Sequence, residues 1–425
     1  MPRITRRQAL TTLGALSLPL ERLVAQSSPL PVSTPPPLAS LADLAPDLPN
    51  FHPMMEWLAR ENTPKLSFLD RTWRSLDAWK AAARPVLQDR LGYAPAALPL
   101  KADLIRREDR DGFTLEVAHL SATSAYHIPA RVLIPKTRRG KLPAVLALHC
   151  HSGKYTWGHE KILSSPDEPA FVTEFRNGTY GRPWAEALVR RGFIVVVIDA
   201  FYFGERRLQV DALEASRVFP EAKEGYTRAR AAKPGTKEWV DATNRVCSFY
   251  EHHTAKAITA TGATWPGIHV WDEMRTIDYL ISRPDVDASR LGCVGLSGGG
   301  FRTAMAIAAD PRIKAACVTG WMTAFAHQLK HHLRHTWMIY TPGLYRSLDL
   351  PDAAALHAPG ALLVQQCRRD NLYPMSGMQA AVDKLTQIYA KAGIPDRFRG
   401  TFYDEPHCFK PHMQDEAFDW LEKWL

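Results

Sequence analysis

The stretch from Leu291 to Asp310 constrains this 425-residue chain more than any other. Leu291 to Leu296 is a short apolar run that reads as a strand. It meets Ser297, passes through Gly298, Gly299 and Gly300, and enters an alanine-rich stretch with helical spacing. Gly295 and Gly299 flank the serine as Gly-x-Ser-x-Gly. That spacing leaves room for a strained strand-to-helix turn that lifts a hydroxyl out at the end of a sheet. The N-terminus of the following helix faces the same spot, where it stabilises developing negative charge. A glycine-rich turn alone is common by chance; the strand before it and the helix after it make Ser297 the candidate nucleophile.

The rest of the chain supplies a sheet for that turn. Met54 to Leu91 carries apolar residues at helical spacing and predicts two or three helices packed on the main body. Strands are predicted at Phe113–Leu120, Ala130–Ile134, Pro143–His149 and Phe193–Asp199, and beyond the elbow at Ile313–Val318, Ala361–Gln366 and Phe398–Tyr403. Helices are predicted at Gly181–Arg191, Trp271–Ser282, Met322–Tyr340, Met375–Ala392 and Glu416–Leu425. Such alternation means an α/β protein: a mostly parallel sheet with helices on both faces. Residues 53–425 read as a single domain, with a helical extension over 53–105. Residues 205–262 lack a clean period and read as an inserted cap, extending to about 265. There is no internal repeat.

The N-terminus stands apart. Thr5-Arg6-Arg7-Gln8 precedes an uncharged run from Ala9 to Leu20, and Leu23-Val24-Ala25 offers a cleavage site. This resembles a twin-arginine export signal over residues 1–25, which predicts a periplasmic or secreted protein. The apolar run is too short to span a bilayer. Residues 26–52 are proline-rich and read as a linker or surface arm. Four arginines and one glutamate lie in the signal, so +6 of the formal +9 charge remains on the mature chain. Its basic residues are scattered, which argues against a nucleic-acid partner. Of six cysteines, Cys293, Cys317 and Cys367 fall in apolar strands, and none shows Cys-x-x-Cys spacing; neither a disulfide framework nor a structural zinc site is expected.

A serine alcohol needs a base within hydrogen-bond reach. His407, directly after the last strand, is the candidate, because loops at strand carboxyl ends carry the functional groups of such sheets. Its imidazole needs a carboxylate to fix its tautomer. Asp370, after the strand ending near Cys367, fits; Asp404 is a rival only three residues from His407. The order Ser297, Asp370, His407 is that of α/β-hydrolases. Oxyanion donors are expected from the backbone amides of Gly298 and of His151, in the loop His149-Cys150-His151-Ser152-Gly153. This chemistry needs no cofactor and no metal.

With those parts in place the chain resembles the dienelactone hydrolase and bacterial acetyl xylan esterase-like group of α/β-hydrolases. The likeness lies in the elbow, the His149–Gly153 loop, Asp199-Ala-Phe-Tyr-Phe-Gly-Glu-Arg-Arg207, Arg283-Pro-Asp-Val-Asp-Ala-Ser-Arg290, and the stretch from Pro351-Asp352 to Ala358-Pro359. It implies an α/β-hydrolase fold over roughly residues 55–425 and hydrolysis of short acyl esters, those of carbohydrates among them. Two positions depart from the group. Serine replaces the cysteine of true dienelactone hydrolases, and Cys150 stands where glycine is usual. His149, Trp157 and Trp321 are candidates to line the substrate pocket. Asp199 and Glu205-Arg206-Arg207 read as a bracing ion-pair network. His327, His331 and His335, at i, i+4 and i+8, read as a polar helix face near the cap. The competing functions are a serine peptidase of prolyl oligopeptidase type and a non-catalytic binding protein of the same fold.

Overall fold

The computed structural model describes residues 46–425 except Arg138 and Arg334, so the stretch predicted to be an export signal and most of the proline-rich stretch lie outside the described residues. Helix α1 (His52–Glu61) opens this body. Helix α2 (Leu76–Leu91) is capped by the Ser75 hydroxyl and closed by Gly92 in a left-handed conformation. The strands that follow are β1 (Ala102–Arg110), β2 (Phe113–Ser121), β3 (His127–Pro135) and β4 (Leu142–Leu148). Helices α3 (Ala170–Thr179) and α4 (Trp184–Val189) lead to β5 (Ile194–Ile198). The insertion holds α5 (Pro220–Ala231) and α6 (Lys237–Ala260). Then come α7 (Trp265–Ser282), β6 (Val286–Leu296), α8 (Gly298–Ala309), β7 (Ile313–Thr319), α9 (Phe325–Gln328) and α10 (Leu350–Ala355). The chain closes with β8 (Ala361–Cys367), α11 (Met375–Lys391), β9 (Phe398–Tyr403) and α12 (Pro411–Trp424).

The nine strands form one sheet in the order β1-β2-β3-β5-β4-β6-β7-β8-β9. The pairs β1–β2, β2–β3 and β3–β5 are antiparallel, and every pair from β5–β4 to β8–β9 is parallel. Side-chain alternation divides two cores across the sheet. Ala144, Leu146 and Leu148 of β4 pack with α2, α7, α8 and α11, whereas Val145 and Ala147 pack with α4 and α12. This arrangement is the α/β-hydrolase fold, and it stacks the carboxyl ends of β4, β6, β8 and β9 along one rim.

Three expectations need correction. The helical extension ends at Leu91, and Ala102–Arg110 is an edge strand. Its sequence, Ala-Asp-Leu-Ile-Arg-Arg-Glu-Asp-Arg, hides it, because an edge exposed along nearly its whole length has no apolar alternation to read. Met322–Tyr340 is not a long helix: among the described residues of that range only Phe325–Gln328 and a short turn at Trp337–Ile339 are helical. Leu329 and Leu333 are the only apolar residues of 329–336 and both stay only partly buried, so the spacing from Phe325 to Trp337 that suggested a helix gains little by packing. The segment is held instead by bonds to other elements. The predicted helix over Gly181–Arg191 shortens to Trp184–Val189, starting after Pro183.

Candidate active site

Ser297 ends β6 with φ 59° and ψ −118°, a backbone that a non-glycine residue adopts only under strain. Its amide is pinned to Thr319 O on β7 at 2.8 Å. The two flanking glycines are required by contact. A Cβ on Gly295 would lie 2.4 Å from Gly299 backbone atoms, and one on Gly299 would lie 2.2 Å from Leu148 O. The elbow is thus wedged against the end of β4, which brings the His149–Gly153 loop beside the start of α8.

His407 and Asp370 meet across neighbouring strand ends. His407 Nδ1 donates to Asp370 Oδ2 at 2.6 Å, which leaves Nε2 to accept a proton. The Asp370 side chain is fully buried, and its other oxygen accepts from Leu372 N at 2.8 Å. Asp404 is 82% exposed at its side chain and pairs with Arg369 at 3.1 Å, away from the imidazole. Ser297, Gly298, His151 and His407 all line one cavity of about 420 Å³. Among the described residues no hydrogen bond joins Ser297 Oγ to His407, the looser geometry common before substrate arrives. A Cβ on Gly298 would sit 3.3 Å from the His151 amide nitrogen, so the two expected oxyanion donors are neighbours.

The other candidates for pocket lining lie elsewhere. His149 is buried under the loop: its Nδ1 donates to Cys150 O at 3.0 Å and its Nε2 accepts from Ala200 N at 3.2 Å. Burial, helped by the nearby Lys161 and Arg302 cations, holds its pKa well below the usual histidine range. Trp157 packs among Phe171 and Phe175. Trp321 is 1% exposed and meets Phe301 edge-on. All three are core residues, because their strand-end and loop positions point inward to fill space beside the elbow.

The insertion supplies what the sequence did not reveal. Helix α6 sends Ser248, Glu251 and His252 into the cavity, opposite His335, Thr336 and Trp337. Glu251 gathers four donors. Tyr155 Oη (2.6 Å) and His151 Nε2 (3.1 Å) donate to one oxygen; Thr336 Oγ1 (2.5 Å) and Trp337 N (3.0 Å) donate to the other. Burial alone would push this carboxyl up, but the His151 contact, then Thr336 and Tyr155, outweigh it and hold its pKa at about 2. The signal was an acid in the buried stripe Cys247, Glu251, Ala255 of α6. Of the three spaced histidines, His335 alone lines the cavity, stacked on Tyr373; His327 bonds Ser376 at its own end of the segment.

The loop after β5 is a brace. Asp199 accepts from His159 N (2.8 Å) and Nδ1 (2.9 Å) and from Glu205 N (3.0 Å). Glu205 holds Arg131 at 2.6 Å, and Arg206 holds Asp272 at 2.5 Å. All six cysteines are buried and unpaired, and Cys408 faces Cys367, not Cys150. Among the described residues no helix is long and apolar enough to cross a membrane.

A sheet of this order, with a strained serine at the end of β6 and an Asp–His pair beyond the ends of β8 and β9, defines the α/β-hydrolase fold, and the chain has it. The prolyl oligopeptidase family model matches residues 260–425, the C-terminal stretch that carries the elbow, Asp370 and His407. A Bacillus subtilis (strain 168) protein described as "Putative hydrolase YtaP" is 27% identical over 357 residues, which cover 81% of this chain and the whole of that one. Among solved structures, a Bacteroides fragilis NCTC 9343 protein described as a "putative acetyl xylan esterase" superposes with a TM-score of 0.61. It is 16% identical and covers 82% of this chain and 81% of its own. A glucuronoyl esterase from Solibacter usitatus gives a TM-score of 0.58 at 14% identity, covering 85% and 97%. At such identities the two structures carry the fold alone.

Proposed function

We propose that the protein is an exported serine carboxylic-ester hydrolase acting on short acyl esters, with polar, carbohydrate-like alcohols. What carries the reading is that Ser297, at a strained elbow, shares one cavity with His407, itself held by buried Asp370, and with the Gly298 and His151 amides. Ser297 Oγ attacks the ester carbonyl as His407 Nε2 takes its proton. Asp370 steadies the imidazolium. The two amides hold the oxyanion, and collapse of the tetrahedral adduct returns the proton to the leaving alcohol. Water then attacks the acyl-enzyme with His407 as base. Ser248, His252, His335 and Thr336 give the cavity a polar wall that suits a hydroxylated alcohol better than a long alkyl chain. The acetyl xylan substrate in the name of one structural relative points the same way.

The test is hydrolysis of aryl acetate, butyrate and octanoate beside acetylated xylan, with Ser297→Ala in parallel. The expected result is activity that falls with acyl length and drops by at least about a thousandfold in the variant. Activity surviving Ser297→Ala in protein free of other esterases would remove the serine assignment. The prolyl oligopeptidase family match favours a second reading as a peptidase with the same triad. Cleavage of a dipeptidyl amide, with no turnover of aryl acetate, would establish it instead.

A further inference from the structure

Lys161 is fully buried below the His149–Gly153 loop. Its ammonium donates to two backbone carbonyls, Cys150 O at 2.8 Å and His151 O at 3.0 Å, and lies 4.2 Å from the centre of the Phe203 ring. Among the described residues it forms no ion pair with a carboxylate; Asp199, the buried acid nearby, is taken up by His159 and the Glu205 amide. An ammonium buried this way is costly, and a neutral side chain would fill the space more cheaply.

The carbonyls it holds explain the cost. Cys150 C=O and His151 N–H belong to one planar trans peptide and point in opposite directions. Anchoring the oxygen in the core therefore turns the His151 N–H outward, toward the cavity that His151 lines. A cation on the oxygen also polarises the peptide and strengthens its N–H as a donor. Cys150 O takes a second bond from His149 Nδ1, and Cys150 N donates to Tyr180 Oη at 3.2 Å. The His151 ring is fixed at both nitrogens, Nε2 to Glu251 and Nδ1 accepting from Gly153 N at 3.0 Å. The His151 amide is left facing the start of α8 beside Gly298.

We propose that Lys161 is a positioning residue for the oxyanion hole: its buried ammonium orients and polarises the Cys150–His151 peptide so that the His151 amide meets the oxyanion formed at Ser297. The inference rests on the ester-hydrolase reading.

The test compares wild type with Lys161→Met, which keeps the bulk, and Lys161→Gln, which keeps a neutral donor. Three quantities are read on aryl acetate: kcat, KM, and the inhibition constant of a short trifluoromethyl ketone whose adduct carries the oxyanion. The Met variant should melt at or above the wild-type temperature. Its kcat should fall about ten- to a hundredfold with KM within about twofold, and the ketone should weaken in step with kcat/KM; Gln should fall between. A merely structural lysine would lower the melting temperature and move KM. Unchanged kcat in an otherwise active protein, loss confined to KM, or failure of both variants to fold overturns the proposal. A wild type that turns over no ester removes the ester reading together with it.

Discussion

Asp370 and Asp404 follow the ends of the neighbouring strands β8 and β9 and differ sharply in burial. The first is sealed from water and bonded to the imidazole; the second is solvated beside Arg369. Only a desolvated carboxylate at fixed distance can impose the tautomer that base catalysis requires. Asp370→Asn should therefore lower kcat on aryl acetate by roughly 10⁴-fold, with the melting temperature little changed, whereas Asp404→Asn should stay within about twofold of wild type. Steady-state kinetics on the two variants decides the point; a larger loss in the Asp404 variant would transfer the role. In the sequence the choice between them rests on spacing: Asp404, three residues from His407, belongs to the same loop, whereas Asp370 follows a different strand and can reach across. The inward turn of His149, Trp157 and Trp321 was not, since each follows or borders a strand as a pocket residue would. Which way a loop side chain points depends on what packs beneath it, here Phe203, Phe175 and Phe301.

At the scale of elements, the insertion does more than cover the site. Glu251 on α6 ties the oxyanion loop through His151 and Tyr155, and the 336–337 segment through Thr336 and the Trp337 amide. Three pieces that are distant in sequence close on one carboxylate. A group held near pKa 2 in the folded chain and about 4.3 when unfolded stabilises the fold fully above pH about 5. That contribution, on the order of 3 kcal/mol, is lost as pH falls through the window between those two values toward 2. Glu251→Gln should be destabilised by about 2–4 kcal/mol at pH 7, since an amide cannot accept all four bonds. Its stability should also fall less steeply than that of wild type between pH 5 and 2. Denaturant melts at several pH values measure both effects, and parallel curves for the two proteins would refute the linkage. The sequence announced an insertion here but not its role, because Glu251 was one acid among many in a charged stretch. The same gap explains the false helix over Met322–Tyr340: that segment takes its shape from Glu251 and from Asp47, which receives the Leu333 amide, and not from a periodicity of its own.

Across the whole molecule, the parallel half of the sheet was the most legible part. Its central strands, β5 above all, are buried on both faces and read as largely apolar runs, whereas the solvated edge strand β1 carries no such mark. The same body bears on the export we propose. All six cysteines are buried and unpaired, so the fold asks for no oxidising compartment and can be completed before transport. Export of a finished fold is what a paired-arginine leader serves, and Arg6-Arg7 stands ahead of the apolar run that ends at Leu20. Full-length protein made in a bacterium with a twin-arginine pathway should appear outside the cytoplasm with Gln26 as its first residue, by mass spectrometry of the fractionated protein. Replacing Arg6 and Arg7 together by lysine should leave folded, active enzyme in the cytoplasm with the leader intact. Lysine keeps the positive charge, so this pair separates recognition of arginine from a general need for basic residues. Equal export of the lysine variant would argue for a route that carries unfolded chains, and the nine-stranded sheet would then have to assemble after transport.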